Sequence, residues 1–150
     1  MAERNTPRRS GMIDFVEAYD VAASAKIEAG HMVALDASGN ASQYAPVDGT
    51  ADAGAVIVGR CEETADNGSG AAGAQRVSVR TGVFLWKNDA AGKVLTKAHI
   101  GDAVYARDSE TVQNDDDLAS GTDGELAQAG RLVQIDDNGA WVATGIPFLW

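Results

Sequence analysis

The stretch "AGHMVALDASGN" (29–40) has the pattern of a turn, a short strand and a second turn. A glycine leaves the first turn, apolar side chains follow at alternating positions, and Asp-Ala-Ser-Gly-Asn closes the element. The same layout returns in "IGDAVYARDSET" (100–111) and in "AGRLVQIDDNGA" (129–140). A small protein that repeats a turn–strand element is predicted to consist largely of strands.

The three copies begin at Gly30, Gly101 and Gly130, so they are separated by 71 and 29 residues. These separations share no period, which excludes a solenoid. Duplication and local convergence on one useful turn–strand element both remain open, and convergence is at least as well supported.

Three further stretches carry strand patterns. "IDFVEAYDV" (13–21) alternates apolar and polar residues, and "AGAVIVGRCE" (53–62) is an apolar run typical of a strand buried on both faces. "RVSVRTGVFLWK" (76–87) alternates throughout. Its predicted inner face is Val77, Val79, Thr81, Val83 and Leu85, and its predicted outer face is Arg76, Ser78, Arg80, Phe84 and Trp86.

No segment of twelve residues keeps a helical period, and strand signals recur every eight to fifteen residues. We therefore predict an all-β fold, a compact small β-barrel or sandwich of β-tulip-like or jelly-roll-like form. The predicted organisation is a flexible, extended basic N-terminal arm over 1–12 and a single all-β domain over 13–150.

The bulk composition limits the classes of function. The chain has 150 residues and a formal net charge of −10, which argues against a surface for nucleic acid. No apolar run approaches the roughly 18 residues of a membrane span, and no apolar segment of a signal peptide follows the N-terminal arginines. The single cysteine, Cys61, fits assembly in a reducing cytoplasm and is predicted to be a buried, inert thiol.

The motifs that could carry catalysis lack the context that the chemistry needs. "GSGAAG" (68–73) has the spacing of a dinucleotide-binding loop but precedes a predicted strand where a helix is required. "DDD" (115–117) lacks the alternating oxygens of a calcium loop, and His31 and His99 have no ligand partners at metal-binding spacing. We predict no catalytic, metal-binding or cofactor-binding residues, no cofactor and no enzymatic activity.

Apolar side chains near two chain segments predict an oligomer interface. Aromatic residues share the outer face of 76–87 with arginines, and "IPFLW" (146–150) places large apolar residues at the last positions. Such residues are enriched in binding hot spots. The predicted interface residues are Arg80, Phe84, Trp86, Phe148, Leu149 and Trp150. Arg4, Arg8 and Arg9 make the arm basic, and it is either a solvated tail or a segment that docks onto an acidic surface.

The stretch "FLWKNDAAGKVLTKAHIGDAVYARDSETV" (84–112), followed by "GRLVQIDDNGAWV" (130–142), resembles the small head proteins of tailed bacteriophages, the capsid cement or decoration proteins. The Gly-x-x-Val beginning of a strand at Ala29–Val33 is a second point of similarity. The resemblance covers roughly residues 19–144 and leaves out the arm, the acidic loop (113–128) and the "IPFLW" tail.

The resemblance implies a non-enzymatic structural protein of the virion, made in the host cytoplasm and bound to the outer surface of the capsid. Its partners would be the major capsid protein and itself, as a homotrimer by preference or a homodimer, and Arg4, Arg8 and Arg9 would contact the capsid. Two alternatives stay open. One is an all-β oligomeric nucleotide-processing hydrolase, which a nucleotide-binding assay with magnesium would identify. The other is a tail or fibre-base module, which labelling on the particle would identify.

Overall fold

Twelve strands and two short 3-10 helices form the part of the chain that the computed structural model describes, residues 14–46, 55–90, 92–118, 124 and 126–149. The strands are β1 Val16–Asp20, β2 Lys26–Ile27, β3 Met32–Leu35, β4 Ala41–Gln43, β5 Val56–Cys61, β6 Ala65–Asp66, β7 Arg76–Arg80, β8 Gly82–Asn88, β9 Ala103–Ala106, β10 Thr111–Gln113, β11 Gln128–Asp136 and β12 Gly139–Thr144. The 3-10 helices are Lys97–His99 and Ile146–Phe148. The described residues include no α-helix, and the prediction of an all-β fold is confirmed.

The first half of the chain forms a five-stranded sheet in the order β1-β7-β5-β3-β4. All its neighbours are antiparallel. The two edges of this sheet meet at one parallel bridge between Val21 and Ala41. The small pair β2-β6 forms a separate two-stranded sheet that packs against the same hydrophobic cluster. We call the five-stranded sheet the first unit.

The second half forms a closed barrel in the order β10-β8-β12-β11-β9. Its pairs are antiparallel except where β10 closes the barrel against β8 in parallel, with Val112 opposite Asn88. We call this barrel the second unit.

The two units have the same connectivity. We number the five strands of each unit in the order in which they occur along the chain. In both units the spatial order is then first, fifth, fourth, second and third, and the third strand pairs in parallel with the end of the first. The internal registers agree as well, because Val33 pairs with Gly59 in the first unit and Val104 pairs with Gly130 in the second. Each member of the first pair is 71 residues before its counterpart. The described chain is therefore a tandem repeat of one five-stranded unit, within the region predicted as one domain.

The repeat explains two of the three Gly-x-x-Val copies and separates the third from them. Gly30 and Gly101 lie in turns with φ of 87° and 93°, before equivalent strands. Gly130 instead lies inside β11, and Val133 after it is 46% exposed. The third copy is a coincidence of pattern: it lies in the fourth strand of its unit, and its true counterpart is Gly59.

Two hydrophobic clusters share a wall. One lies inside the first unit and includes Val33 and Val58. The other fills the second unit and extends to Met32, Ala34 and Ile57 on the opposite side of the same two strands. The prediction that 53–62 contains a strand buried on both faces is confirmed, since β5 sends neighbouring side chains into different cores.

Candidate interaction surfaces

The segment 76–87, predicted as one strand, forms two strands, β7 and β8. The residues that face a core are odd-numbered in β7 and even-numbered in β8. In β7, Val77 and Val79 are each 1% exposed, but in β8 it is Trp86 that is 4% exposed, while Val83 and Leu85 are 42% and 40% exposed. The break falls after Thr81, where the chain leaves the first unit and enters the second. The prediction that Val83 and Leu85 face the core is wrong, because the alternation restarts when the chain enters a new core.

Trp86 is a core residue of the second unit. Its indole Nε1 donates a hydrogen bond to Thr144 Oγ1 at 2.9 Å. Its ring meets half-buried Phe84 edge to face, with centroids 6.1 Å apart. The Trp86 side chain is buried in the core of its own chain, so its predicted place in an oligomer interface is wrong. The tryptophan fills the barrel instead.

Arg80 lies in an ion-pair network where β1, β5 and β7 meet. Its Nη1 donates to Asp14 Oδ1 at 2.7 Å, and its Nε donates to Glu62. The hydrogen bonds from Asp14 and then Glu62 raise the pKa of Arg80. Arg60 also binds Glu62 at 3.2 Å and stacks over the Phe84 ring at 4.3 Å. Arg80 and Phe84 are thus brought close together by Arg60 and Glu62, with the charge of Arg80 balanced by two carboxylates.

Exposed apolar side chains run across the outer face of the second unit. Leu85 on β8 pairs with Trp141 on β12, and Val133 projects from the irregular part of β11 beside it. With Val83, these residues form what we call the apolar strip. Such a strip on the surface of an acidic chain is typical of a contact site.

Trp141 is hydrogen-bonded to the end of β11 at one end of the apolar strip. Its Nε1 donates to Asp136 Oδ2 at 2.8 Å. This bond, followed by the backbone N–H of Asn138, lowers the pKa of Asp136. The half-buried indole is therefore fixed in place before any partner binds.

The described part of the C-terminal tail packs on its own chain. Gly145 is followed by the 3-10 helix Ile146–Phe148, and Gln128 Nε2 donates to the Phe148 carbonyl at 3.4 Å. Phe148 and Leu149 are half-buried, while Ile146 is 45% exposed. Both predicted tail residues are therefore covered over most of their surface by their own chain.

Four residues with predicted contact roles lie outside the described part of the chain: Arg4, Arg8, Arg9 and Trp150. Their assignment to capsid contact and to an oligomer interface stays a prediction.

The two units are joined by polar contacts as well as by the shared wall. Ser109, in the β9–β10 turn, accepts a hydrogen bond from Met32 N to its carbonyl at 2.8 Å, and its Oγ lies 2.8 Å from His31 Nδ1. Nearby, Ala127 N donates to Tyr44 Oη at 3.0 Å. His99 instead bonds within its own turn, to Thr96. The two histidines have separate partners, and His31 belongs to the contact between units.

The base of the acidic loop is anchored by one buried glutamine and one lysine. Gln113 is fully buried and donates to the carbonyls of Asp115 and Asp117 at 2.9 and 2.7 Å. Lys93 Nζ bonds Asp115 Oδ1 at 2.7 Å. Burial alone would raise the pKa of Asp115, but the lysine bond and the Asp117 backbone N–H outweigh it and lower that pKa. Among the described residues, no cluster of His, Cys, Asp or Glu is arranged to hold a metal ion.

The glycine-rich loop 68–73 leads into β7, whereas a dinucleotide loop would open a helix. Its shape comes from Asn67, which is 3% exposed and donates from Nδ2 to the carbonyls of Ala22 and Ala71 at 3.0 and 2.9 Å. The loop is therefore closed around a buried amide.

Cys61 is 1% exposed and lies in the core of the first unit. Its Sγ donates to the Glu63 carbonyl at 3.0 Å, and burial raises the pKa of its thiol. The prediction of a buried thiol is confirmed.

Comparison with known proteins gives no relative: no family model matches, and neither the curated proteins nor the solved structures contain a significant match. Over the described ranges, none of the helices has the length and apolar character needed to cross a membrane.

One sequence signal could have revealed the repeat and its surfaces. "TGVFLW" (81–86) and "TGIPFLW" (144–150) each begin where the last strand of a unit ends. Thr81 and Thr144 are both buried, at 4% and 0% exposure. Reading these two segments as equivalents would have placed the boundary between the units at residue 81, and with it the change of phase in β8.

Proposed function

We propose that the protein is a capsid cement protein of a tailed bacteriophage, which binds the outside of the head as a homo-oligomer and reinforces contacts between major capsid subunits. The observation that carries the proposal is the resemblance of 84–112, a stretch that contains β9 and most of β8 and β10 of the second unit. On this proposal the protein acts by contact and does no chemistry.

The architecture supports such a role in two ways. The shared wall of β3 and β5 contributes side chains to both hydrophobic cores and so ties the two small units together, which suits a protein that must hold its shape under load. The apolar strip, with Leu85 40% exposed, offers a contact surface on a chain whose formal charge is −10. A surface of that kind suits binding to another protein, since apolar area drives association while the acidic remainder keeps the free protein soluble.

The test is the thermal stability of heads prepared without this protein. Purified protein added back should raise the temperature at which heads rupture, because a ligand that binds only the assembled shell stabilises it by about 2.7 kcal/mol per site at 100 times its dissociation constant. Leu85→Arg should weaken this effect. The triple change of Arg4, Arg8 and Arg9 to Ala should weaken binding most at low salt, where charges are least screened.

An unrelated acidic protein at the same concentration serves as the control. Equal rupture temperatures with and without the added protein would contradict the proposal.

A further inference from the structure

The contact between the two units is not reciprocal, although the units are equivalent. Ser109 of the second unit binds His31 and Met32 of the first. The counterpart of Ser109 in the first unit is Ser38, at the same place in the β3–β4 turn, and it is exposed. The counterpart of Met32 in the second unit is Ala103, which is only half-buried. The two surfaces in this contact are therefore different from each other, whereas a twofold contact joins two copies of the same surface.

A second pair of positions repeats this asymmetry. Ala127 of the second unit bonds Tyr44 of the first and is 7% exposed. Its counterpart Val56, 71 residues earlier, is 40% exposed. Conversely, Ala34 in the receiving surface of the first unit is 5% exposed, while its counterpart Tyr105 is only half-buried.

Each unit has both kinds of surface, but the contact inside the chain uses only one of them from each unit. The other surface of each unit stays unused. The first unit keeps an unused docking end, which we define as Ser38 and Val56. The second unit keeps an unused docking face, which we define as Asp102, Ala103 and Tyr105. Contacts of this heterologous kind can be repeated from molecule to molecule, and they close into rings when the rotation allows.

We propose that the docking end of one copy of this chain binds the docking face of another, so that copies join head to tail into a closed ring. This contact between chains repeats the contact that already joins the two units within each chain. Ser38 then faces Asp102 as Ser109 faces His31, a hydroxyl opposite a hydrogen-bonding side chain. Val56 takes the place that Ala127 has inside the chain and packs against the docking face, where Tyr105 is the counterpart of buried Ala34. The proposal rests on the self-association that the proposed function includes.

The test uses the full chain in solution, without heads, and measures mass by light scattering and sedimentation over a range of concentrations. The wild-type protein should form one discrete oligomer. Val56→Arg alters only the docking end and Tyr105→Arg only the docking face, and each should raise the dissociation constant by at least about 30-fold. Mixed together, the two variants should form a dimer and nothing larger, because the mixture contains one intact docking end and one intact docking face.

Val16→Arg is the matched control. Val16 is 43% exposed, and its counterpart Val83 stays 42% exposed in the intact chain, so neither is covered by the contact between units. This variant should keep the wild-type mass. Circular dichroism confirms folding, and Val56→Ser and Tyr105→Ser replace any arginine variant that does not fold.

A monomeric wild type, variants that keep the wild-type mass, or a mixture that stays monomeric would each overturn the head-to-tail contact. Heads that are still stabilised by a protein without this contact would leave the cement function standing, so the two proposals fail separately.

Discussion

At the scale of single residues, Trp86 and its neighbour Leu85 have opposite environments although both are large and apolar. Trp86 is 4% exposed and hydrogen-bonded to Thr144, whereas Leu85 is 40% exposed. Truncation of a buried aromatic residue removes its transfer free energy and leaves a cavity, while truncation of an exposed side chain does neither to the same extent.

We expect Trp86→Ala to lower the free energy of unfolding by about 3–5 kcal/mol and Leu85→Ala to lower it by less than about 1 kcal/mol. Urea denaturation followed by circular dichroism measures both. Equal losses would mean that the inward phase of β8 is not the one described.

At the scale of elements, Gly59 and Gly130 occupy the same place in β5 and β11. Gly59 has φ of 147° and Gly130 has φ of 159°. A Cβ on Gly59 would collide with the backbone oxygen of Arg80, and one on Gly130 with the backbone oxygen of Ala143. At both positions the close backbone belongs to the neighbouring fifth strand of the unit, and the pairing with the second strand shifts register beside the same glycine.

Gly59→Ala and Gly130→Ala should therefore destabilise the protein to a similar extent, by more than the roughly 1 kcal/mol that alanine costs at an open position of positive φ. Gly39→Ala changes such an open position and is the control, because Gly39 has φ of 80° and a Cβ there would meet no atom within 4 Å. Thermal melting of the three variants provides the comparison. A loss at Gly59 no greater than that at Gly39 would contradict the close backbone contact, and clearly unequal losses at Gly59 and Gly130 would contradict the equivalence of the two strands.

Much of this strand content can be predicted from the sequence, because alternation is a local property. The segments around Val16–Asp20, Val56–Cys61 and Arg76–Arg80 are all predicted as strands, and all form strands. The inward phase of β8 could not be predicted, because Val83 and Leu85 are as apolar as Phe84 and Trp86. Which set is buried depends on a core built from β11 and β12, far along the chain.

The contact surfaces are less accessible to sequence reasoning than the strands. Residue type alone predicts an interface position for Trp86, but residue type does not distinguish a core from a contact site. The docking end and docking face are visible only by comparing equivalent positions of the two units. That comparison needs the strand pairing, since the third Gly-x-x-Val copy at Gly130 suggests a false alignment.

At the scale of the whole molecule, the shared wall couples the two units. β5 places Ile57 in one cluster and Val58 in the other, so neither core can lose this strand without exposing part of its neighbour. All three tryptophans lie at or after residue 86, in or beyond the second unit. Tryptophan fluorescence therefore does not report on the first unit directly.

This arrangement allows a direct test of coupling with Val79→Ala, a change in the core of the first unit. We expect it to lower the free energy of unfolding by about 1–3 kcal/mol, and to shift the fluorescence midpoint as far as the circular dichroism midpoint. A fluorescence transition that stays in place while the other moves would show two units that unfold independently.

The outer side of that wall has a consequence for synthesis of the protein. The first unit is complete at about residue 81, while Met32, Ala34 and Ile57 belong to a core cluster most of whose members lie later in the chain. Until the remaining strands have been synthesised, the second unit therefore cannot cover the apolar side of this five-stranded sheet. Nascent chains in that state are prone to stick to one another, so the growing polypeptide passes through its most aggregation-sensitive stage halfway along, and a fragment that ends near residue 81 would meet the same hazard permanently.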